Sequence, residues 1–121
     1  MIILSKILVG LVCIEHVYIL VMEMFLWTTP RVMKTFGTTT EMAAVSKTLA
    51  ANQGLYNGFL AAGLLWGIIH PDPAIGHQIQ LFFLGCVIVA AIYGGLTVKR
   101  SILLVQGLPA LLALLAVLVA S

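Results

Sequence analysis

Residues 15–27 read EHVYILVMEMFLW, and their interpretation decides the fold. They lie inside an apolar run that starts at Met1 and is long enough to cross a bilayer, which requires about 20 residues. That run nevertheless holds two carboxylates and an imidazole. At about 100° per residue, with Glu15 at zero, Glu23 falls at about 80°, His16 at about 100° and Trp27 at about 120°. One side of one helix therefore carries all four. An acidic side chain at the centre of a span costs roughly 2.5–3.5 kcal/mol on the insertion scale, so such residues turn towards a bundle interior or a wet cavity. Glu15 and His16 are expected near the middle of this helix, with Glu23 about 10–12 Å nearer its C-terminal end.

The composition fits a membrane chain. Of 121 residues, 62% are hydrophobic and 8% charged, and the mean hydropathy is +1.17, values that do not describe a soluble domain. A single transmembrane domain over residues 1–121 is expected, with the lipid bilayer as its surroundings. A net charge of +2 argues against a nucleic-acid partner. Cys13 and Cys86 both sit in apolar stretches without CxxC or metal-ligand spacing, and are read as buried thiols acting as small hydrophobes. The first helix is expected to be retained: its basic flank is only Lys6, and a bulky Val12 precedes Cys13 where processing needs a small residue.

Four spans fit the hydropathy, at about 3–27, 49–70, 78–97 and 102–120. The fold class expected is all-α, an integral membrane four-helix bundle of antiparallel up-down topology. After Trp27 the chain turns polar and basic, with Pro30 and Gly37 breaking regular structure. Thr38 and Glu41 have the T-x-x-E spacing of a capping box, which starts the second helix near residue 39, ahead of its apolar part. The link HPDPAIGH at 70–77 is stopped by two prolines and lacks Lys and Arg. The next link, Lys99-Arg100-Ser101, is short enough to force a hairpin. Arg31, Lys34, Lys47, Lys99 and Arg100 all fall on one side of such a bundle, against Lys6 on the other. The positive-inside rule then puts the first and third links in the cytoplasm and both termini outside.

The second helix holds a further polar group. With Asn52 at zero, Tyr56 falls at about 40°, Gln53 at about 100° and Asn57 at about 140°. Gly54, Gly58 and Ala62 recur every fourth residue as a packing seam, within the bundle or between protomers of a homo-oligomer. The third helix adds Tyr93 and the fourth Gln106, with Pro109 expected to kink the helix and free the carbonyl of Val105. Polar groups in hydrocarbon need each other or water, so the expectation is one polar pocket. Glu15, His16 and Glu23 are its candidate catalytic or proton-exchanging groups; Asn52, Gln53, Tyr56, Asn57, Tyr93 and Gln106 are its candidate ligand contacts.

Three readings of that pocket compete. Protonatable groups beside amides suit a proton-coupled transporter for a small hydrophobic or cationic molecule. They suit equally an isomerase or hydrolase acting on a lipid-soluble substrate, with Glu and His moving protons while Asn, Gln and Tyr hold the polar group. The third reading is a structural or assembly role, in which the amides are interhelical glue and the small-residue seams dominate. No metal site or cofactor is expected: His16 and Glu23 are about 10.5 Å apart along the helix axis, and a polar turn accounts for His70, Asp72 and His77.

EHVYILVMEMFLWTTPR, LAANQGLYNGFLAAGLLWG, FFLGCVIVAAIYGG and VQGLPA, taken in order along the chain, resemble the bacterial family known as domain of unknown function 1304. The resemblance implies a small four-helix protein of the bacterial inner membrane. It implies no activity, so the functional reading rests on the residues.

Overall fold

The first apolar run folds as helix α1 (Ile2–Met24), ending short of the expected boundary near residue 27. The amide of Leu26 reaches back five residues to the carbonyl of Val21 at 3.2 Å, and the Thr29 hydroxyl donates to the Leu26 carbonyl at 2.7 Å. These bonds take up carbonyls that an ending helix leaves without partners. In this computed structural model, which describes residues 1–121, Trp27 therefore lies in a turn and not on the helix.

Four more helices follow and there is no strand: α2 (Pro30–Phe36), α3 (Thr40–Ile69), α4 (Pro73–Thr97) and α5 (Leu108–Ala120), the last preceded by a π-helical turn at Leu103–Gly107. Three segments, Ile2–Met24, Pro73–Thr97 and Leu103–Ala120, are long and apolar enough to cross a membrane. At 30 residues α3 has the length, but Asn52, Gln53 and Asn57 dilute its apolar half. The link expected to be irregular contains α2, with Pro30 as its first residue. Gly37 at φ 68° ends it: the Gly37 amide bonds Lys34 O at 3.3 Å and the Thr38 amide bonds Met33 O at 2.9 Å, a paired closure that needs a left-handed residue. The cap of α3 is one residue later than the T-x-x-E spacing suggests, because the Met42 amide donates to Thr39 Oγ1 at 3.2 Å.

The chain forms two compact units, Met1–Ile14 with Leu60–Ser121, and Glu15–Phe59; α1 and α3 each contribute to both. The larger unit has a core of Val9, Val12, Leu64, Leu84, Val87, Ala110, Ala113 and Val117. Small residues bring its helices close. A Cβ on Gly67 would stand 3.0 Å from both the Gln80 amide and the Gly76 carbonyl, and one on Gly63 would enter the Phe83 ring. Gly95 lies against Leu103 and Gly107 against Ala91, so α4 and the segment after it run in opposite directions from the short link at Lys99–Ser101. The irregularity expected at Pro109 is taken up upstream: the Leu108 amide bonds Leu103 O across five residues, the widened turn of a π-bulge. Cys13 and Cys86 are free thiols, and Cys13 Sγ donates to Ala61 O at 3.2 Å.

In the smaller unit, Ile19, Met22 and Val32 form a buried apolar cluster, with Trp27 and Phe36 packed on it. The two rings meet edge to face, centroids 4.9 Å apart, a geometry favoured by the ring quadrupoles. Gly54 and Gly58 fit against α1: a Cβ on Gly54 would approach Met24 Cγ at 2.7 Å and Leu20 O at 3.2 Å, and one on Gly58 would approach Leu20 Cδ1 at 2.6 Å. Two members of the small-residue seam are thus occupied inside the chain, while Ala62 is exposed.

Candidate functional site

Glu23 is the centre of the polar chemistry in the smaller unit. Only 8% of it is exposed. Asn57 Nδ2 donates to Glu23 Oε1 at 2.7 Å and also to the Gln53 carbonyl at 3.2 Å, so both amide protons are used and the Asn57 side chain is fixed. Oε2 of Glu23 accepts no hydrogen bond from the chain, and it is not sealed off by packing. Glu23 lines a cleft of ≈ 310 Å³ together with Trp27, Ser46, Leu49, Ala50 and Gln53.

Local structure explains how this cleft is held. Because α1 stops at Met24, Trp27 can fold back, and its Nε1–H donates to Ser46 Oγ at 3.1 Å. The Ser46 hydroxyl donates in turn to Met42 O at 2.6 Å. On α3, residues 46, 50, 53 and 57 follow helical spacing and share a face. Close approach at Gly54 brings that face to α1 beside Glu23. The resulting walls are one carboxylate, one indole, one amide, a hydroxyl already committed at both ends, and aliphatic surface. No Lys or Arg lines the cleft.

The structure separates the sequence-derived candidates. Glu23, Gln53 and Asn57 come together. Asn52 and Tyr56 are exposed, with the Tyr56 ring against Phe59 at 5.9 Å; the arc assumed for the four residues was too wide to face one partner. Glu15 and His16 lie further towards the N-terminus of α1 and do not line the cleft. Oε1 of Glu15 is buried without a hydrogen-bond partner, and His16 is 1% exposed. Tyr93 is 71% exposed on α4, at a shallow apolar depression with Leu81, Phe82, Gly85, Cys86, Val89 and Ala90. Gln106 sits half-buried in the π-helical turn. Ser46, Leu49 and Ala50 were missed, although their helical spacing to Gln53 was available in the sequence.

A second polar cluster lies in the larger unit around HPDPAIGH. Oδ1 of Asp72 accepts from the amides of Ala74 and Ile75 at 3.0 and 3.4 Å, capping α4, and the Asp72 amide donates to His70 Nδ1 at 3.0 Å. The Ser121 hydroxyl commits its proton to Val117 O at 2.6 Å, which makes His77 Nδ1 the donor in their 3.0 Å contact. Gln80, not singled out from the sequence, is 2% exposed and bonds Gly67 O through Nε2 at 2.9 Å. The Gln80–Gly67 bond ties α4 to α3, and the Ser121–His77 contact ties the end of α5 to α4. No three of the chain's His, Cys, Asp and Glu side chains gather into a group able to hold a metal.

Comparison with known proteins bears on identity and leaves chemistry open. The chain is 38% identical over 118 residues to "Uncharacterized protein YpaA" of Lactococcus lactis subsp. lactis (strain IL1403), covering 95% of this chain and 97% of that one. No solved structure matches. The profile of the family described as "Protein of unknown function (DUF1304)" matches residues 10–118, nearly the whole chain, and the protein belongs to that family.

Proposed function

We propose that this protein is a small proton-coupled transporter of the bacterial inner membrane, binding a small molecule in the cleft beside Glu23. The observation that carries the reading is the divided state of the Glu23 carboxylate: Oε1 is held by Asn57 at 2.7 Å and Oε2 accepts no hydrogen bond from the chain, on a residue that lines a cleft large enough for a small molecule. A carboxylate largely removed from water exchanges its charge for a proton at low cost when its surroundings change. Coupling follows if proton and ligand compete for the same oxygen.

In this reading α3 crosses the bilayer with the three more apolar helices, giving four antiparallel spans. The hydrogen bond from Asn57 to Glu23 on α1 offsets part of the polarity of α3. Arg31, Lys34, Lys47, Lys99 and Arg100 are all exposed, which supports placing both basic links in the cytoplasm and the termini outside. Glu15 and His16 are the second protonatable step, further along α1, with the unpartnered Oε1 of Glu15 as its acceptor.

The test is reconstitution in liposomes loaded with a pH-sensitive dye under an imposed pH gradient. Transport predicts that an added solute collapses the gradient faster in proteoliposomes than in empty vesicles, and that Glu23→Gln removes the difference. Equal rates for wild-type and empty vesicles across cationic, neutral and anionic solutes would refute the proposal.

A further inference from the structure

We infer that the Glu23 cleft is built for a compact organic cation with an apolar body, the ammonium group seated between Glu23 Oε2 and the Trp27 indole. The inference rests on the cleft described above and deepens that reading by naming the class of ligand. Three observations select for positive charge. The one ionisable wall is the carboxylate of Glu23, 8% exposed, which lines the cleft and has one oxygen that accepts no hydrogen bond from the chain. The one aromatic wall is an indole, the side chain whose π face attracts cations most strongly. Its N–H is already spent on Ser46 at 3.1 Å, so Trp27 offers an incoming ligand no donor, only ring surface. An anion would find no Lys or Arg on the walls, and the only side-chain donor left open there is the neutral amide of Gln53.

The polar inventory also argues against a neutral polyol or sugar. Such a ligand needs several donors and acceptors at matched positions. Here the Ser46 hydroxyl is committed to Met42 O and the Asn57 amide protons to Glu23 and to the Gln53 carbonyl, which leaves the Gln53 side-chain amide as the one neutral polar group still open on the walls. A primary or quaternary ammonium on an aryl or alkyl body needs only what the cleft supplies, an accepting anion, a π face and aliphatic contact.

The experiment uses the intrinsic fluorescence of Trp27 in purified full-length protein carrying Trp66→Phe, in a neutral detergent. Three ligands with one body and different charge are titrated: 2-phenylethylammonium, 2-phenylethanol and phenylacetate. The expected result is saturable quenching by the ammonium, with the alcohol and the carboxylate at least about tenfold weaker. Glu23→Gln should weaken ammonium binding by a similar factor, and Glu23→Asp should retain part of it. Because the ligand series is run on native Glu23, the result stands even where a Glu23 variant fails to fold. Equal affinity for the alcohol, or no response to the ammonium, overturns the inference. Selective ammonium binding without collapse of a pH gradient removes the transport reading and leaves the cation site. Gradient collapse driven by a neutral or anionic solute does the reverse.

Discussion

Asn57 donates one hydrogen bond to Glu23 Oε1 at 2.7 Å and another to the carbonyl of Gln53 at 3.2 Å, so one amide ties the carboxylate of α1 to the backbone of α3. A carboxylate buried to this degree is stabilised by that donor and destabilised by its loss. Interhelical hydrogen bonds in membranes average about 0.6 kcal/mol and reach about 1.7 kcal/mol in double-mutant cycles. Glu23→Ala, Asn57→Ala and their combination should show a coupling of about that upper value, measured by unfolding in mixed micelles. A coupling indistinguishable from zero would mean that the pair is not formed in the folded protein.

The glycines separate into positions that tolerate a methyl group and positions that do not. A Cβ on Gly76 would meet the Gly67 carbonyl at 2.6 Å, whereas one on Gly58 would meet only Leu20 Cδ1, the far end of a flexible side chain, at 2.6 Å. Gly10 and Gly85 have nothing within 4 Å. Thermal unfolding should therefore rank Gly76→Ala as the most damaging, at about 1–3 kcal/mol, with Gly58→Ala milder. Gly85→Ala should be neutral or stabilising by up to about 1 kcal/mol, since Ala is the better helix former. Equal losses at Gly76 and Gly85 would contradict the packing of α3 on α4.

Asp72 acts through its side-chain oxygen at the start of α4, accepting from the amides of Ala74 and Ile75. Asp72→Ala should cost about 0.5–2 kcal/mol, and Asp72→Asn should recover most of it, because an amide oxygen caps as well as a carboxylate.

Orientation is testable with single cysteines in a Cys13→Ala, Cys86→Ala background. Lys99→Cys, in the basic link, should resist an impermeant thiol reagent added to intact cells and react after permeabilisation. Ala74→Cys, at the exposed start of α4, should react directly. The reverse pattern would invert the charge rule for this chain.

Much of the helical content is legible in the sequence, because hydropathy and breaker residues act locally. The run from Met1, the prolines around Asp72 and the Lys99-Arg100 link mark where helices start, stop and turn back. What misled was periodicity carried past its element. Trp27 was assigned an angle on α1 although the helix closes at Met24, where Leu26 and Thr29 take up the terminal carbonyls. The α2 segment was hidden for a related reason: Pro30 and Gly37 read as breakers, yet they stand at the first residue and just past the last of a short helix.

The candidate site was half legible. That ionisable groups in α1 would seek the amides of α3 follows from the cost of leaving them in hydrocarbon, and Glu23 with Asn57 obeys it. Which of Asn52, Gln53, Tyr56 and Asn57 would do so was not encoded locally. Their arc spans about 140°, and only the close approach at Gly54, against Met24 and Leu20 O, decides that Asn57 reaches Glu23 on α1 and Gln53 borders the cleft, while Asn52 and Tyr56 do neither. The sequence alone determined the helices, their apolar character and the presence of costly charges within them. The tertiary structure decided which charge is partnered, which oxygen stays open, and that Trp27 and Ser46 complete the cleft, because those outcomes depend on contacts between residues distant in the chain, and no local pattern carries them.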